Sequence, residues 1–176
     1  MTCILVLFVC LTALGFVGYS LVPTLYYLFF KKAPFPPDPN GKRIFLTFDD
    51  GPDPRYTPTL LGILRENNVH AIFFVVAEKA ARHPELIQEI SRAGHLIGLH
   101  GLNHRDAWLT TPAGQKRDFE QGLAILETLG CDVTYYRAPW GHLNLTSLFL
   151  AKQHQLNVML WTVMAEDWEA ESISGR

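Results

Sequence analysis

The sequence predicts an α/β protein built on a parallel β-sheet with helical crossovers. Segments with strand character alternate with segments of helical spacing from residue 43 to residue 163. That alternation is typical of parallel strands joined by helices. Residues 71–76 form a continuous apolar run, as expected of a strand buried on both faces. The polar motifs follow predicted strands, and the carboxyl ends of parallel strands form the active face of such folds.

The elements are placed by apolar spacing and by turn residues. Strands are predicted at residues 43–48, 71–76, 96–99, 134–136 and 158–163. Helices are predicted at residues 57–67, 83–93, around 123–129 and around 146–155. Pro58 suits the first turn of the first helix, whereas Gly94 and Gly130 follow the second and third helices as stop signals.

Residues 1–30 form an uncharged, apolar segment that ends at Lys31 and Lys32. The segment is longer than the ~20 apolar residues that span a bilayer. A cleaved signal peptide would begin with a basic region, which this segment lacks. A buried core helix is disfavoured because the segment has no polar face. We therefore predict a transmembrane signal anchor over residues 1–32, a proline-rich linker over 33–42 and one globular domain over 43–176.

Composition excludes several classes of function. Acidic and basic residues number 17 and 15, so the charge does not indicate nucleic acid as a partner. Cys3 and Cys10 lie in the apolar segment and Cys131 is alone in the rest of the sequence, which excludes an intradomain disulfide and a cysteine zinc site. The sequence contains neither a glycine-rich phosphate loop nor a Gly-x-Ser-x-Gly motif, which excludes nucleotide-dependent and serine-nucleophile chemistry.

Two adjacent carboxylates, Asp49 and Asp50, follow the first predicted strand. Their side chains are expected to diverge, so that one can bind a cation while the other accepts a proton. The alternative is that Asp-Asp-Gly-Pro is only a turn sequence. His100 and His104, four residues apart, can face the same way on a helical turn and bind one cation, although an isolated pair is more often ordinary histidine. One carboxylate with two imidazoles suits zinc or another divalent first-row ion.

Arg137 lies in a turn that Pro139 and Gly141 would fix. We predict that it orients a catalytic carboxylate through a bidentate contact, with a surface ion pair as the alternative. Trp140 and Trp168 are predicted to form walls of a substrate pocket, with core packing as the alternative. The other histidines are interpreted as structural or surface residues: His70, His83, His95, His142 and His154.

These motifs resemble, in this order, those of the polysaccharide deacetylases of carbohydrate esterase family four, which share the NodB homology domain. The segments that carry the resemblance are 47–52 (Thr-Phe-Asp-Asp-Gly-Pro), 100–104 (His-Gly-Leu-Asn-His), 137–141 (Arg-Ala-Pro-Trp-Gly) and 167–168 (Asp-Trp). The resemblance covers residues 43–168. It implies a distorted (β/α) barrel with fewer repeats than the eight-stranded kind, incomplete at its C-terminus in this chain and preceded by one transmembrane helix.

The resemblance also implies the roles of the site residues. One divalent ion, zinc in the first place and cobalt, nickel or manganese as alternatives, would be bound by Asp50, His100 and His104. Asp49 would be the catalytic base, tuned by Arg137 and Asp167. The backbone N–H of Trp140 would donate to the oxyanion. Trp168 would line the pocket for the acetyl methyl group.

Three departures from the family pattern affect these expectations. Gly101 stands where the family usually has Ser or Thr, so the histidine loop is expected to be less firmly braced, and Leu99 replaces the usual Asn. The family's final motif, a strand ending in Leu-x-His whose histidine protonates the leaving amine, does not follow Trp168, and nothing in residues 169–176 replaces it. We expect a C-terminally truncated part of a longer sequence, with a metal site but without a complete catalyst.

The resemblance predicts an enzyme that removes N-acetyl groups from N-acetylglucosamine units of peptidoglycan or a chitin-like polymer. The alternatives are a deacylase of a smaller amide and a non-catalytic sugar-binding module. A polymer substrate requires an extracellular domain, whereas the lysines after the anchor favour a cytoplasmic one. We give the substrate more weight, because a large folded domain can translocate despite modest flanking charge.

Overall fold

The computed structural model describes residues 2–30 and 44–164. In the second of these ranges five parallel strands form one sheet and pair in chain order. The strands are β1 (Thr47–Gly51), β2 (Ile72–Val75), β3 (Leu96–Leu99), β4 (Tyr135–Tyr136) and β5 (Asn157–Val158). The predicted α/β class with a parallel sheet is confirmed.

Helices connect the strands and precede the sheet. The described helices are α1 (Thr2–Phe16), α2 (Val22–Phe30), α3 (Thr57–Glu66), α4 (Ala77–Arg82), α5 (Pro84–Arg92), α6 (Pro112–Thr128) and α7 (Leu145–Gln153). Short 3₁₀ turns occupy Ala107–Leu109 and Pro139–Gly141. Pro58 lies in the first turn of α3, as predicted.

The core lies where the helices pack on the central strands. All four residues of β2 are buried, which confirms the strand predicted from the continuous apolar run. Three helices contribute pairs of buried side chains to the same apolar cluster: Ala77 and Ala80, Ile87 and Ile90, and Phe119 and Leu126. Full burial of a side chain of the size of Ile or Phe stabilises the fold by about 1.5–3 kcal/mol.

Several predicted boundaries are wrong. The first strand includes Asp49, Asp50 and Gly51, which were predicted to form a turn after it. The strand predicted at 158–163 is only Asn157–Val158. The helix predicted around 123–129 is the last part of α6, which begins at Pro112. Helix α4 was not predicted, because its short sequence, rich in alanine, lacks a clear apolar periodicity.

The N-terminal segment is one helical rod. Helices α1 and α2 are joined by a π-helical segment, Val17–Leu21, without a break in helical geometry. The rod from Thr2 to Phe30 is long and apolar enough to cross a membrane. This agrees with an anchor and equally with a signal sequence. The predicted linker, residues 33–42, and the predicted boundaries at 32 and 43 lie outside the described residues.

Candidate active site

Three motifs converge at the carboxyl end of the sheet. Asp49 and Asp50 lie near the end of β1, His100 directly follows β3, and Arg137 directly follows β4. The strands are parallel and neighbours in the sheet, so their carboxyl ends lie at one edge. The sequence therefore predicted correctly where the functional side chains meet.

The two carboxylates diverge because the end of β1 is irregular. The pairing of β1 with β2 shifts register between Phe48 and Gly51. Asp50 has a φ of 67°, in the left-handed region that few non-glycine residues adopt. Lys79 on α4 donates a hydrogen bond of 2.7 Å to the carbonyl oxygen of Asp50 and holds this conformation. The two neighbouring side chains consequently reach different partners, as predicted.

Asp50 faces two imidazoles. Its Oδ1 lies 2.9 Å from Nε2 of His104 and 3.3 Å from Nε2 of His100. One ligand atom from each of the three residues lies within 4.8 Å of the other two. Two ligands of a tetrahedral zinc ion, at bond lengths of about 2.0–2.1 Å, are separated by about 3.3 Å. The spacing of the three residues fits a small divalent cation.

The tautomer of His100 gives an independent test of this fit. Its Nδ1 lies 2.8 Å from the carbonyl oxygen of Arg137. A carbonyl oxygen only accepts hydrogen bonds, so Nδ1 carries a proton. In the neutral ring Nε2 then carries the lone pair on the side that faces Asp50, where it can bind a cation together with the carboxylate. The backbone contact to Nδ1 is the kind that orients a metal-binding histidine.

Asp50 is the anionic member of the group. The contacts with the imidazole of His100 and then with that of His104 hold the pKa of its carboxyl well below the usual range. The carboxylate is therefore charged at neutral pH and available to a cation.

The two histidines do not lie on a helical turn, contrary to the prediction. Residues 100–106 form an irregular loop. Gly101 and His104 both have positive φ angles, of 79° and 60°, and these two reversals turn the imidazoles toward each other. The pair therefore converges through loop geometry rather than through the spacing of an α-helix.

Helix α6 braces this loop. Asp118 is buried on α6, and its Oδ2 accepts a hydrogen bond of 3.1 Å from the backbone N–H of Leu102. A Cβ atom at position 101 would lie 2.9 Å from the same oxygen. Glycine at this position lets the carboxylate approach the backbone, so the loop is braced from α6.

Arg137 is a buried residue and not part of a surface ion pair. Its side chain is 1% exposed, and its Nη1 lies 2.7 Å from Oδ1 of Asp49. The same nitrogen donates to Thr47 at 2.8 Å, while Nε donates to the carbonyl oxygen of Met159 at 3.0 Å. The contact with Asp49 thus uses one nitrogen, and the predicted bidentate geometry is wrong. The other hydrogen bonds of the guanidinium go to Thr47 in β1 and to the Met159 carbonyl just after β5.

Two aromatic rings enclose the guanidinium of Arg137. Its Cζ lies 4.1 Å from the centre of the Phe74 ring and 4.8 Å from that of Trp161. Burial lowers the pKa of Arg137, although the neighbouring Asp49 opposes this effect. Arg137 remains charged because the ordinary pKa of a guanidinium is far above neutral pH.

Trp140 lies at the rim of the site. It has a φ of 61°, its side chain is 65% exposed, and its ring centre is 5.3 Å from that of His104. Trp140 is therefore not a core residue. The other predicted site residues, Asp167 and Trp168, lie outside the described residues.

Sequence reasoning missed three residues that shape the site. Lys79 and Asp118 act on the backbone of the metal-binding segments, and neither belongs to a motif. Trp161 covers Arg137, and a Cβ atom at Gly141 would lie 2.8 Å from its ring. Of the three, Asp118 offered a signal in the sequence: it is an acidic residue next to Phe119, on the face of α6 that is buried, where a carboxylate needs a partner.

Known proteins share this architecture. The sequence profile of the polysaccharide deacetylase family matches residues 37–159. A peptidoglycan-N-acetylglucosamine deacetylase of Bacillus cereus is 34% identical over 70% of this chain and 58% of its own length. A chitooligosaccharide deacetylase of Azorhizobium caulinodans is 34% identical over 76% of this chain and 65% of its own length. The chain thus spans roughly three fifths of the length of these relatives.

A solved structure gives the same result. The peptidoglycan deacetylase PdaC of Bacillus subtilis superimposes with a TM-score of 0.69 at 31% identity, over 78% of this chain and 68% of that one. The profile match, the relatives and the shared fold agree with the residues that meet at the carboxyl ends of β1, β3 and β4. This chain belongs to the polysaccharide deacetylase family of carbohydrate esterases.

Proposed function

We propose that this chain is the catalytic part of a metal-dependent deacetylase that removes N-acetyl groups from N-acetylglucosamine units of peptidoglycan or a chitin-like polysaccharide. The observation that carries the proposal is the position of a candidate three-ligand cation site directly beside a partly buried carboxylate, Asp49, that is paired with the buried Arg137. The activities named for the relatives support this substrate class.

Asp50, His100 and His104 would hold one divalent ion, zinc in the first place and cobalt, nickel or manganese as alternatives. Such an ion supplies Lewis-acid activation of the acetamide carbonyl and of the attacking water. The protein fixes the ligands through the Arg137 carbonyl on His100 and the Lys79 contact at Asp50.

Asp49 would accept the proton of the attacking water. Its pairing with Arg137 keeps the carboxylate aimed into the site. The backbone N–H of Trp140 would donate to the oxyanion that develops on the carbonyl oxygen. By the family resemblance, Asp167 would tune Arg137 and Asp49, and Trp168 would line the pocket for the acetyl methyl group.

The leaving amine also needs a proton. By the family pattern its donor is the histidine of a final strand ending in Leu-x-His, and residues 169–176, which follow Trp168, do not supply it. We therefore expect this chain by itself to release little acetate, and a form extended by that motif to be fully active.

The N-terminal rod would anchor the enzyme in a membrane with the catalytic domain outside the cell, where these polymers lie. Resistance to carbonate extraction of the full chain tests the anchor. Protease protection in intact cells tests its orientation.

The experiment for the function measures acetate released from N-acetylglucosamine oligomers and from peptidoglycan, with zinc or cobalt added. The extended form should be active. Its Asp49→Asn variant should keep the metal, but its acetate release should fall roughly 10²–10⁴-fold, because a positioned base contributes that much to the rate. Glu127→Gln, an exposed change on α6, is the matched control. Sugar binding without acetate release would favour the binding module, and activity on small amides alone would favour the deacylase.

A further inference from the structure

The N-terminal rod packs against the catalytic domain. In the described residues its contacts fall on the connection between β3 and α6 and on the segment that leads from β4 into α7. We name this contact the dock and define it by three residues of the rod (Phe16, Tyr19 and Thr24) and three of the domain (Trp108, Leu143 and Thr146).

One buried hydroxyl lies at the centre of the dock. Oγ1 of Thr24 accepts hydrogen bonds from Nε1 of Trp108 at 3.0 Å and from the backbone N–H of Leu143 at 2.9 Å. As a donor, the same hydroxyl has two carbonyl acceptors within reach, that of Leu143 at 2.9 Å and that of Ser20 at 3.1 Å. A buried hydroxyl whose donor and acceptor sites are both occupied by hydrogen bonds indicates a specific contact between the rod and the domain.

Two further contacts extend the dock along the rod. The hydroxyl of Tyr19 donates to Oγ1 of Thr146 at 2.8 Å. The ring of Phe16 meets that of Trp108 edge to face, with 6.0 Å between centres. Contacts therefore run over more than two turns of the rod and fix its direction relative to the domain.

The dock touches the two connections that build the candidate active site. Trp108 follows the metal ligand His104 by four residues, and Leu143 follows Trp140 by three. The ring of Trp108 stacks on that of His142, with 3.8 Å between centres and 5° between planes. The rod is thus attached at the carboxyl ends of the strands, on the side of the sheet that carries the catalytic residues.

The position of the dock along the rod sets its depth in a bilayer. Thr2–Leu21 comprises α1 and the π-helical segment. At about 1.5 Å per residue these residues measure about 30 Å, which is the thickness of the hydrocarbon core. Helix α1 contains no buried residue, so its side chains before Phe16 are open to lipid. Phe16 and Tyr19 fall in the last two turns of this span and Thr24 lies beyond it, so a rod that spans the membrane brings the dock to the boundary between the hydrocarbon and the head groups.

Large apolar side chains surround the domain side of the dock. Leu109, next to Trp108, is 85% exposed. Leu145 and Phe149 lie four residues apart on the same face of α7, flank Thr146, and are 54% and 65% exposed. Apolar side chains exposed beside a membrane-spanning rod fit the interfacial zone of a bilayer.

We propose that the dock holds the active-site side of the domain against the lipid bilayer, with Leu109, Leu145 and Phe149 inserted among the head groups. The inference rests on the proposed anchoring and adds an orientation to it. It limits the enzyme to saccharide units that lie close to the membrane surface.

The test uses the full chain in phosphatidylcholine vesicles. Cys3, Cys10 and Cys131 are replaced by serine, and a single cysteine at position 109 or 149 carries an environment-sensitive dye. The matched control is Val69→Cys, because Val69 is 38% exposed and precedes β2 at the opposite end of the sheet. Lipids with brominated acyl chains should quench the dye at 109 and 149 at least about twofold more than at 69.

Equal quenching at the three positions, in a chain that floats with the vesicles, would overturn the orientation and leave the anchor intact. A chain that does not float with the vesicles would overturn both.

A second arm tests the dock itself. Thr24→Val keeps the shape and apolar character of the rod but leaves Trp108 Nε1 and the Leu143 N–H without their acceptor. Quenching at 149 should fall toward the level at 69 while the chain stays in the vesicles. Thr12→Val is the matched control, since the Thr12 hydroxyl bonds only within α1. Unchanged quenching in Thr24→Val would show that the dock does not orient the domain.

Discussion

The carboxylate of Asp118 lies next to Gly101, so that helix α6 supports the loop between the two candidate metal ligands His100 and His104. Its Oδ2 accepts the hydrogen bond from Leu102 and would lie 2.9 Å from any Cβ atom at position 101. The support comes from a residue 14 positions beyond His104, outside the motif that identifies the site.

Replacing Gly101 by alanine should damage the loop. The new Cβ would meet Asp118 Oδ2, and the φ of 79° is strained for a residue with a side chain, so we expect a loss of at least about 1 kcal/mol in unfolding free energy. Zinc affinity, measured by competition with a chromogenic chelator, should fall as well. Gly62→Ala on α3 is the control, because nothing lies within 4 Å of its Cβ and alanine should stabilise the helix by about 0.5–1 kcal/mol. Gly101→Ala with wild-type stability and affinity would contradict the proposed support.

Asp118 should make stability depend on pH. Burial raises the pKa of its carboxyl above the ordinary value of 3.8, so the folded chain binds this proton more tightly than the unfolded chain. The carboxyl therefore destabilises the fold increasingly as the pH rises from 3.8 through the raised pKa, and fully above it. Asp118→Asn removes this titration while keeping an acceptor for Leu102.

The measurement is urea unfolding of the full chain in detergent at several pH values from about 4 to 8. The unfolding free energy of Asp118→Asn minus that of the wild type should become more positive as the pH rises. Asp132→Asn, at an exposed position, provides the control. If the unfolding free energies of Asp118→Asn and the wild type changed in parallel with pH, the raised pKa of the Asp118 carboxyl would not contribute to stability.

Metal binding should depend on each of the three ligands. Elemental analysis of the purified protein should find about one divalent ion per chain, and His100→Ala or His104→Ala should weaken binding by more than the roughly 10–100-fold typical of losing an outer contact. His83→Ala is the control, since His83 contacts Glu85 away from the site. Stoichiometric metal in both ligand variants would refute the assignment.

Arg137 should couple energetically to Asp49. Arg137 is buried and Asp49 partly buried, so Arg137→Met removes the hydrogen bonds of the guanidinium, leaves the carboxylate unpaired and should cost about 3–5 kcal/mol of unfolding free energy. Combined with Asp49→Asn, the cost should be smaller than the sum of the two single changes. Chemical denaturation of the four proteins gives the coupling energy. Strict additivity would show that the 2.7 Å contact does not contribute.

The parallel sheet could be predicted from the sequence because its strands are marked by local runs of apolar residues. The buried run of β2 needs no tertiary information, and the residues at the carboxyl ends of β1, β3 and β4 had to meet once those strands were parallel. Loop geometry was not predictable in the same way. His104 adopts a positive φ that its residue type rarely takes, and Lys79 reaches the Asp50 carbonyl only because α4 follows β2 immediately. Such contacts depend on tertiary placement, for which a single sequence carries no local signal.

Arg137 and the residues that enclose it come late in the chain, so the site is completed in a fixed order during synthesis. The ligands Asp50, His100 and His104 are present once β1 to β3 have left the ribosome, and these strands pair in chain order. Arg137, whose carbonyl fixes the tautomer of His100, follows more than 30 residues later, and Trp161 and the Met159 carbonyl later still. Under the proposed roles, the three candidate metal ligands are therefore synthesised before the arginine that positions the proposed base Asp49.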